Sequence, residues 1–169
     1  MDYSYAYSSS GDAALGILFS IIASFFLFFL VIGIVIYVFN GLSLYTMAKN
    51  KGLENPWLAW IPVAHAYLMG KVIDEKVAFG NSVIPYAHIA LPVAPFASMI
   101  LGAIPFIGFL CPIAYAVYYY AALYRLFKLY NADKAVLFLV LSIIFTFLGP
   151  IFLFTMRNNQ PVEYLEETL

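Results

Sequence analysis

The sequence predicts an all-α integral membrane protein, a helical bundle of four transmembrane helices plus one interfacial or re-entrant helix. Three observations predict it. Hydrophobic residues make up 64% of the 169 residues and charged residues only 10%, where a soluble domain has about half and about a quarter. Mean hydropathy is +0.92, more apolar surface than a soluble fold of this size can hide. Asp, Glu, Lys and Arg are missing from three runs, 13–48, 77–124 and 135–156. About 20 apolar residues carry a helix across a core of about 30 Å, so the outer runs hold one span each and the middle run two. Backbone groups find no water inside a bilayer, which makes the spans helices and not open strands.

Met1 to Asp12 reads as a short, polar, flexible extracytoplasmic tail, and Asp12 is placed to cap a helix starting at Ala13. The single transmembrane domain occupies 13–156, and its first span runs over about 14–37. Helical periodicity continues to Lys49, and Asn50-Lys51-Gly52 supplies a stop. No Lys or Arg precedes Lys49, so a cleavable leader with a basic start is not expected, and the first span should stay as an anchor.

The stretch 56–72 is hydrophobic but reads as an interfacial or shallow re-entrant helix. It covers only about 25 Å at 1.5 Å per residue. Pro62 interrupts it, and it holds both tryptophans, Trp57 and Trp60, a residue type that prefers the lipid–water boundary. Asp74 to Lys76 is a charged turn and Gly80-Asn81 a polar break. The second span, 83–101, contains Pro85, Pro92 and Pro95 and should be kinked. A turn near Gly102 to Pro105 leads to the third span, 109–126, and Asn131 to Asp133 turns into the fourth, 135–154. The segment 157–169 is a polar, acidic tail.

Four spans put Lys49, Lys51, Lys71, Lys76, Arg125, Lys128 and Lys134 on one side and Arg157 alone on the other. Basic residues in short loops face the cytoplasm, so both termini are expected outside it, in a multi-pass protein of the cell membrane. The same basic residues, notably Lys49, Lys51, Lys71, Arg125 and Lys128, join Trp57 and Trp60 as candidates for contact with lipid headgroups, although setting topology would explain them equally well.

His88 is the one imidazole in a predicted span, about 8 Å below the cytoplasmic boundary. The plainer account is a neutral His bonded to a carbonyl freed by a neighbouring proline; the sharper one is proton or metal handling. Ile61-Pro62-Val63-Ala64-His65 echoes Ile84-Pro85-Tyr86-Ala87-His88 in the pattern I-P-x-A-H. His65 and His88 with Asp74 or Glu75 have the chemistry of a divalent-metal site, against coincidence in an Ala/Ile/Pro-rich chain. Tyr115 and Tyr119 belong to a tyrosine-rich third span. It reads as an aromatic belt with interhelical hydroxyl bonds, or as a ligand groove. Cys111 is the only cysteine, so no intramolecular disulfide forms.

The runs that hold the spans carry no Asp, Glu, Lys or Arg, which disfavours a proton- or ion-driven transporter. No H-E-x-x-H, P-loop or G-x-S-x-G is present, no span pairs a Ser with a Lys, and the spaced aspartates of membrane phosphatidyltransferases are missing. No cofactor and no nucleic-acid partner is implied.

The run LYTMAKNKGLENPWLAWIPVAHAYLMGKVI, with Lys51, Gly52, Pro56, Trp57, Ile61, Pro62 and Tyr67, resembles small uncharacterised membrane proteins common in Gram-positive bacteria such as clostridia. So does LYRLFKLYNADKAVLFLVLSIIFTFLGPIFLF followed by RNNQPV. The resemblance covers roughly two-thirds of the chain. It implies a shared organisation and no activity; His65 stands where Asn or Tyr often follows the Ile-Pro step.

The leading functional expectation is a non-enzymatic helper, assembly or immunity-type subunit that packs on another membrane protein or on itself. A small oligomeric channel or transporter built on the Pro-broken second span is the alternative, and a lipid-binding protein a third. Membrane lipid is the partner common to all three.

Overall fold

The computed structural model describes residues 3–79, 82–104 and 106–162. Its elements are α1 (Tyr3–Asn50), a 3-10 turn (Pro56–Trp60), α2 (Pro62–Val72), β1 (Val77–Phe79), β2 (Ser82–Ile84), α3 (Ala87–Leu101), α4 (Ile107–Tyr130), a second 3-10 turn (Ala132–Lys134), α5 (Ala135–Ile144) and α6 (Leu148–Met156). Among the described residues the protein is all-α apart from one antiparallel strand pair, in which Val77 pairs with Ile84 and Phe79 with Ser82. Gly80-Asn81, read as a polar break, lies outside the described residues, as do Pro105 and 163–169.

Contacts divide the chain into two units, Met1–Tyr37 and Val38–Leu169. The first is the apolar part of α1. From Gly11 on its side chains stand almost wholly exposed, as lipid would require. Its serines bond back one turn, Ser20 Oγ to Gly16 O and Ser24 Oγ to Ser20 O, both at 2.8 Å, so neither hydroxyl is left bare in an apolar medium. The helix starts at Tyr3, which corrects two expectations: 3–12 are helical, and Asp12 lies inside the helix and not at its cap. Ala, Tyr and Ser carry no helix-breaking penalty, and no proline intervenes before Pro56.

The second unit begins with the last turns of α1. These end as the Asn50-Lys51-Gly52 stop requires. Gly52 has φ +73°; its N–H bonds Lys49 O at 3.1 Å and the Leu53 N–H bonds Ala48 O at 3.0 Å, a Schellman cap. The stretch 56–72 is not one helix. Pro62 opens α2 and the preceding turn stops at Trp60, because a proline in mid-helix would clash with the carbonyl four residues back. The core gathers Leu44 and Met47 of α1, Leu68 and Val72 of α2, Ile73 just after it, Ala87 and Leu91 of α3, Leu126 and Phe127 of α4, and Leu153 and Met156 of α6. Phe138 and Phe152 stack at 4.3 Å and Phe127 meets both edge-on.

Among the described residues two helices are long and apolar enough to cross a membrane, Gly11–Asn50 of α1 and Ile107–Tyr130 of α4. The span placed at 83–101 starts only at Ala87, because Val83 and Ile84 belong to β2; α3 has 15 residues, about 22 Å. The span placed at 135–154 is broken. α5 ends at Ile144, Phe145 to Phe147 turn, and α6 runs back. Pro150 explains the break. It sits in the first turn of α6, where a helix has no use for its missing N–H, whereas a continuous helix would drive its ring into the Thr146 carbonyl.

The return of α6 overturns the expected position of Arg157. The Val162 N–H bonds Leu129 O at 2.8 Å, Asn159 Nδ2 bonds Tyr130 O at 2.9 Å, and Asn50 Nδ2 reaches Arg157 O at 3.5 Å. Arg157 therefore lies at the same end as Lys49, Lys51 and Lys128, and all eight basic residues of the chain share that end. At the other end of α3 and α4, large apolar side chains stand open, Phe106 at 85% and Met99 at 83% exposure, with no charged residue between Val77 and Tyr124.

Candidate functional site

The charged residues converge where α2 ends. After Val72 the chain takes two successive left-handed residues, Asp74 and Glu75, both with φ 60°. Such residues without glycine store on the order of 1–3 kcal/mol of strain each. Backbone bonds hold them there: Asp74 N–H to Lys71 O at 3.2 Å, Glu75 N–H to Gly70 O at 2.9 Å, and Ala87 N–H to Glu75 O at 2.9 Å. The turn aims two carboxylates at two lysines. Lys51 pairs with Asp74 and also donates to Val72 O at 2.8 Å, and Lys71 pairs with Glu75 one helical turn away. The Lys71 hydrogen bond holds the Glu75 carboxyl below the usual carboxylate range and lifts Lys71 above its own.

Beneath this turn Arg125, only 6% exposed, donates from Nε to Ile73 O at 2.8 Å. Arg125 was expected at the lipid interface; instead it braces the turn from inside. Lys51 and Lys71 are likewise engaged with acids. Lys49 and Lys128 remain open, as do Lys76 and Lys134, and none of the four has a carboxylate partner among the described residues.

His88, in the first turn of α3, enters the same cluster. Its Nδ1 stands 3.2 Å from Glu75 Oε2, within ion-pair range. The angles are not those of a hydrogen bond, so this buried nitrogen has no hydrogen-bond partner among the described residues. The Tyr67 ring meets His88 edge-on at 5.6 Å. His65 is held elsewhere, its Nδ1 3.2 Å from Ala59 O; a carbonyl only accepts, so Nδ1 carries the proton. No three His, Cys, Asp or Glu gather among the described residues, so the metal chemistry suggested by the I-P-x-A-H echo finds no third ligand. The echo has a plainer meaning: each copy contains a helix start, α2 at Pro62 and α3 at Ala87.

Burial, opposed by the Ala59 bond, holds the His65 imidazole below its ordinary value of 6.5. The unfolded chain takes up that proton more readily than the folded one. Stability should therefore be level above pH 6.5 and decline as pH falls below it. Melting in detergent from about pH 8 to about pH 5 checks this, and His65→Gln, which keeps a donor for Ala59 O, should remove that share of the decline.

Trp57 and Trp60 both reach the surface, at 55% and 36% exposure, and Trp57 Nε1 donates to Asn55 Oδ1 at 3.3 Å. Beside them Leu53, Glu54, Asn55, Leu58, Tyr67, Leu68 and Lys71 line a cleft of about 310 Å³. Tyr115 and Tyr119 lie together, rings 6.3 Å apart. Tyr119 and Tyr120 also border a cavity of about 30 Å³ with Asn40, Ser142 and Thr146, room for one water and no larger ligand. Sequence reasoning missed the cleft, the bracing role of Arg125 and the place of Gly70, whose hydrogen faces the His88 backbone. A glycine inside an apolar helix stretch, next to a lone Lys, was the available signal for the last.

No family model matches the chain, no curated protein matches it, and no solved structure matches it. Fold and site thus define a class only: an all-α protein with, among the described residues, two helices long and apolar enough to cross a membrane and a charged, tryptophan-flanked end.

Proposed function

We propose that this is a non-enzymatic, multi-pass protein of the cell membrane that binds phospholipid headgroups through its basic end. α1, α3 and α4 cross the bilayer, the short α3 at the cost of local thinning, and α5–α6 dips in and returns. Each helix of that last pair is ten residues or fewer, about 15 Å, half the hydrocarbon thickness. The basic end faces the cytoplasm, the amino end lies outside it, and Arg157 to Val162 return to the cytoplasmic side. The reading rests above all on Lys49, Lys76, Lys128 and Lys134, exposed and without carboxylate partners among the described residues.

A lysine close to an anionic bilayer surface is worth about 1 kcal/mol. Replacing all four by Gln should lower retention of phosphatidylglycerol on the purified protein on the order of a thousandfold at low salt, while the melting temperature barely moves. Mass spectrometry of the intact protein with its lipids measures this. Equal retention by the two proteins would overturn the reading.

A second reading, a helper or assembly subunit, is favoured by α1. Gly16, Ser20 and Ser24 recur every fourth residue along it, a pattern that lets a partner helix approach closely. The resemblance to the small membrane proteins of Gram-positive bacteria is compatible with either reading.

A further inference from the structure

We propose that the cleft between the α1 exit loop and α2 is a binding site for one phospholipid whose headgroup carries both a phosphate and a primary amine. The inference deepens the lipid-binding reading above and rests on it. The cleft of about 310 Å³ is lined by Leu53, Leu58 and Leu68 on its apolar side and by Glu54, Asn55, Tyr67 and Lys71 on its polar side. That volume is within the range of sites for small molecules and accommodates one headgroup with its glycerol.

The two charges on the wall select the ligand. Lys71 has three donors. Glu75 takes one, and the rest are open to a phosphate oxygen. The ammonium stands 5.8 Å from the centre of the Tyr67 ring, which steadies it over the cleft. Glu54 is exposed and has no ion-pair partner among the described residues. A purely anionic headgroup would satisfy Lys71 but face Glu54 and Glu75 as like charges. A quaternary ammonium would meet the charge of Glu54 yet bring no N–H for its oxygens or for the Asn55 carbonyl. A primary ammonium brings three N–H donors and satisfies both. Trp57, bonded to Asn55 and half open to the surroundings, sets the cleft at the depth where headgroups lie.

Trp57 also supplies the test. Trp60→Phe leaves Trp57 as the sole tryptophan. The full chain is placed in nanodiscs of phosphatidylcholine, phosphatidylethanolamine and phosphatidylglycerol, and one class at a time carries bromine on its acyl chains to quench Trp57 fluorescence. Brominated phosphatidylethanolamine should quench more strongly than the other two at equal mole fraction. Glu54→Gln should weaken that preference about tenfold, the loss of one charge-assisted bond. Glu54→Lys should turn the preference toward phosphatidylglycerol. Gln160→Ala, exposed and no part of the cleft lining, should change nothing. Equal quenching by all three lipids, or a preference untouched by both Glu54 variants, would overturn the proposal. Failure of the fourfold lysine replacement to shed phosphatidylglycerol would instead count against the parent reading, so the two outcomes are separable.

Discussion

A fluorescent protein joined to the carboxyl end should fluoresce in cells, and alkaline phosphatase joined at the same point should stay inactive, because the proposed topology returns Arg157 to Val162 to the cytoplasmic side. The charge rule applied to four spans expects the reverse. The geometry favours the new outcome for a local reason. Holding the carboxyl end on the far side would break the bond from Val162 N–H to Leu129 O and the bond from Asn159 to Tyr130 O. It would also need α5 and α6, at ten and nine residues, to cross a core that takes about 20. The basic residues agree. With Arg157 at the shared end, a seven-to-one division becomes eight to none, a stronger obedience to the rule that motivated the first expectation. A finer check follows from Cys111 being the only cysteine. On a Cys111→Ala background, Thr146→Cys at the tip of the dip should resist an impermeant maleimide from either side, and Asn158→Cys should react from the cytoplasm alone. An active phosphatase fusion, or a Thr146→Cys that labels from outside, would defeat the arrangement.

The contrast shows which parts of the fold the sequence carries openly. The apolar density that marks 14–37 and 109–126 is a solvent-transfer property, legible residue by residue, and α1 and α4 contain those stretches. Local backbone chemistry was legible too. The Gly52 cap and the interruption at Pro62 both arise from single residues whose φ angle or missing N–H admits few alternatives. The α5–α6 reversal was not. Phe145 to Phe147 hold no Gly, Pro or charge, and Pro150 suits a helix start and a helix end alike until the carbonyl it must avoid is known. The site was legible in composition and not in pairing. Lys51 and Asp74 lie 23 residues apart, and Arg125 reaches a carbonyl 52 residues away. Lys71 and Glu75 are four residues apart, but only tertiary packing makes the Lys51–Asp74 ion pair and the buried Arg125 brace.

Gly70→Ala should be the most damaging single methyl group in the protein. A Cβ there would stand 2.3 Å from both Cα and N of His88 and 2.6 Å from the Ala87 carbonyl carbon. All three are backbone atoms, so no rotamer change makes room, and α2 and α3 must move apart. Moving them strains the Ala87 N–H bond to Glu75 O, which helps hold the left-handed Asp74-Glu75 turn, and with it the approach of His88 to Glu75. Overpacking of a closed contact costs about 3 kcal/mol at the upper end of its usual range, a fall in melting temperature on the order of 10 °C for a chain of this length. Gly16→Ala is the control. Nothing lies within 4 Å of a Cβ built there, and alanine in a helix interior is favoured over glycine by about 0.5–1 kcal/mol, so that variant should melt no lower than the parent. Because Tyr67, Leu68 and Lys71 all ride on α2, Gly70→Ala should also weaken the preference of Trp57 for brominated phosphatidylethanolamine, even at temperatures where the protein remains folded. A Gly70→Ala protein that melts with the parent and keeps that preference would mean that α2 and α3 do not approach so closely, and the charged turn between them would lose its support.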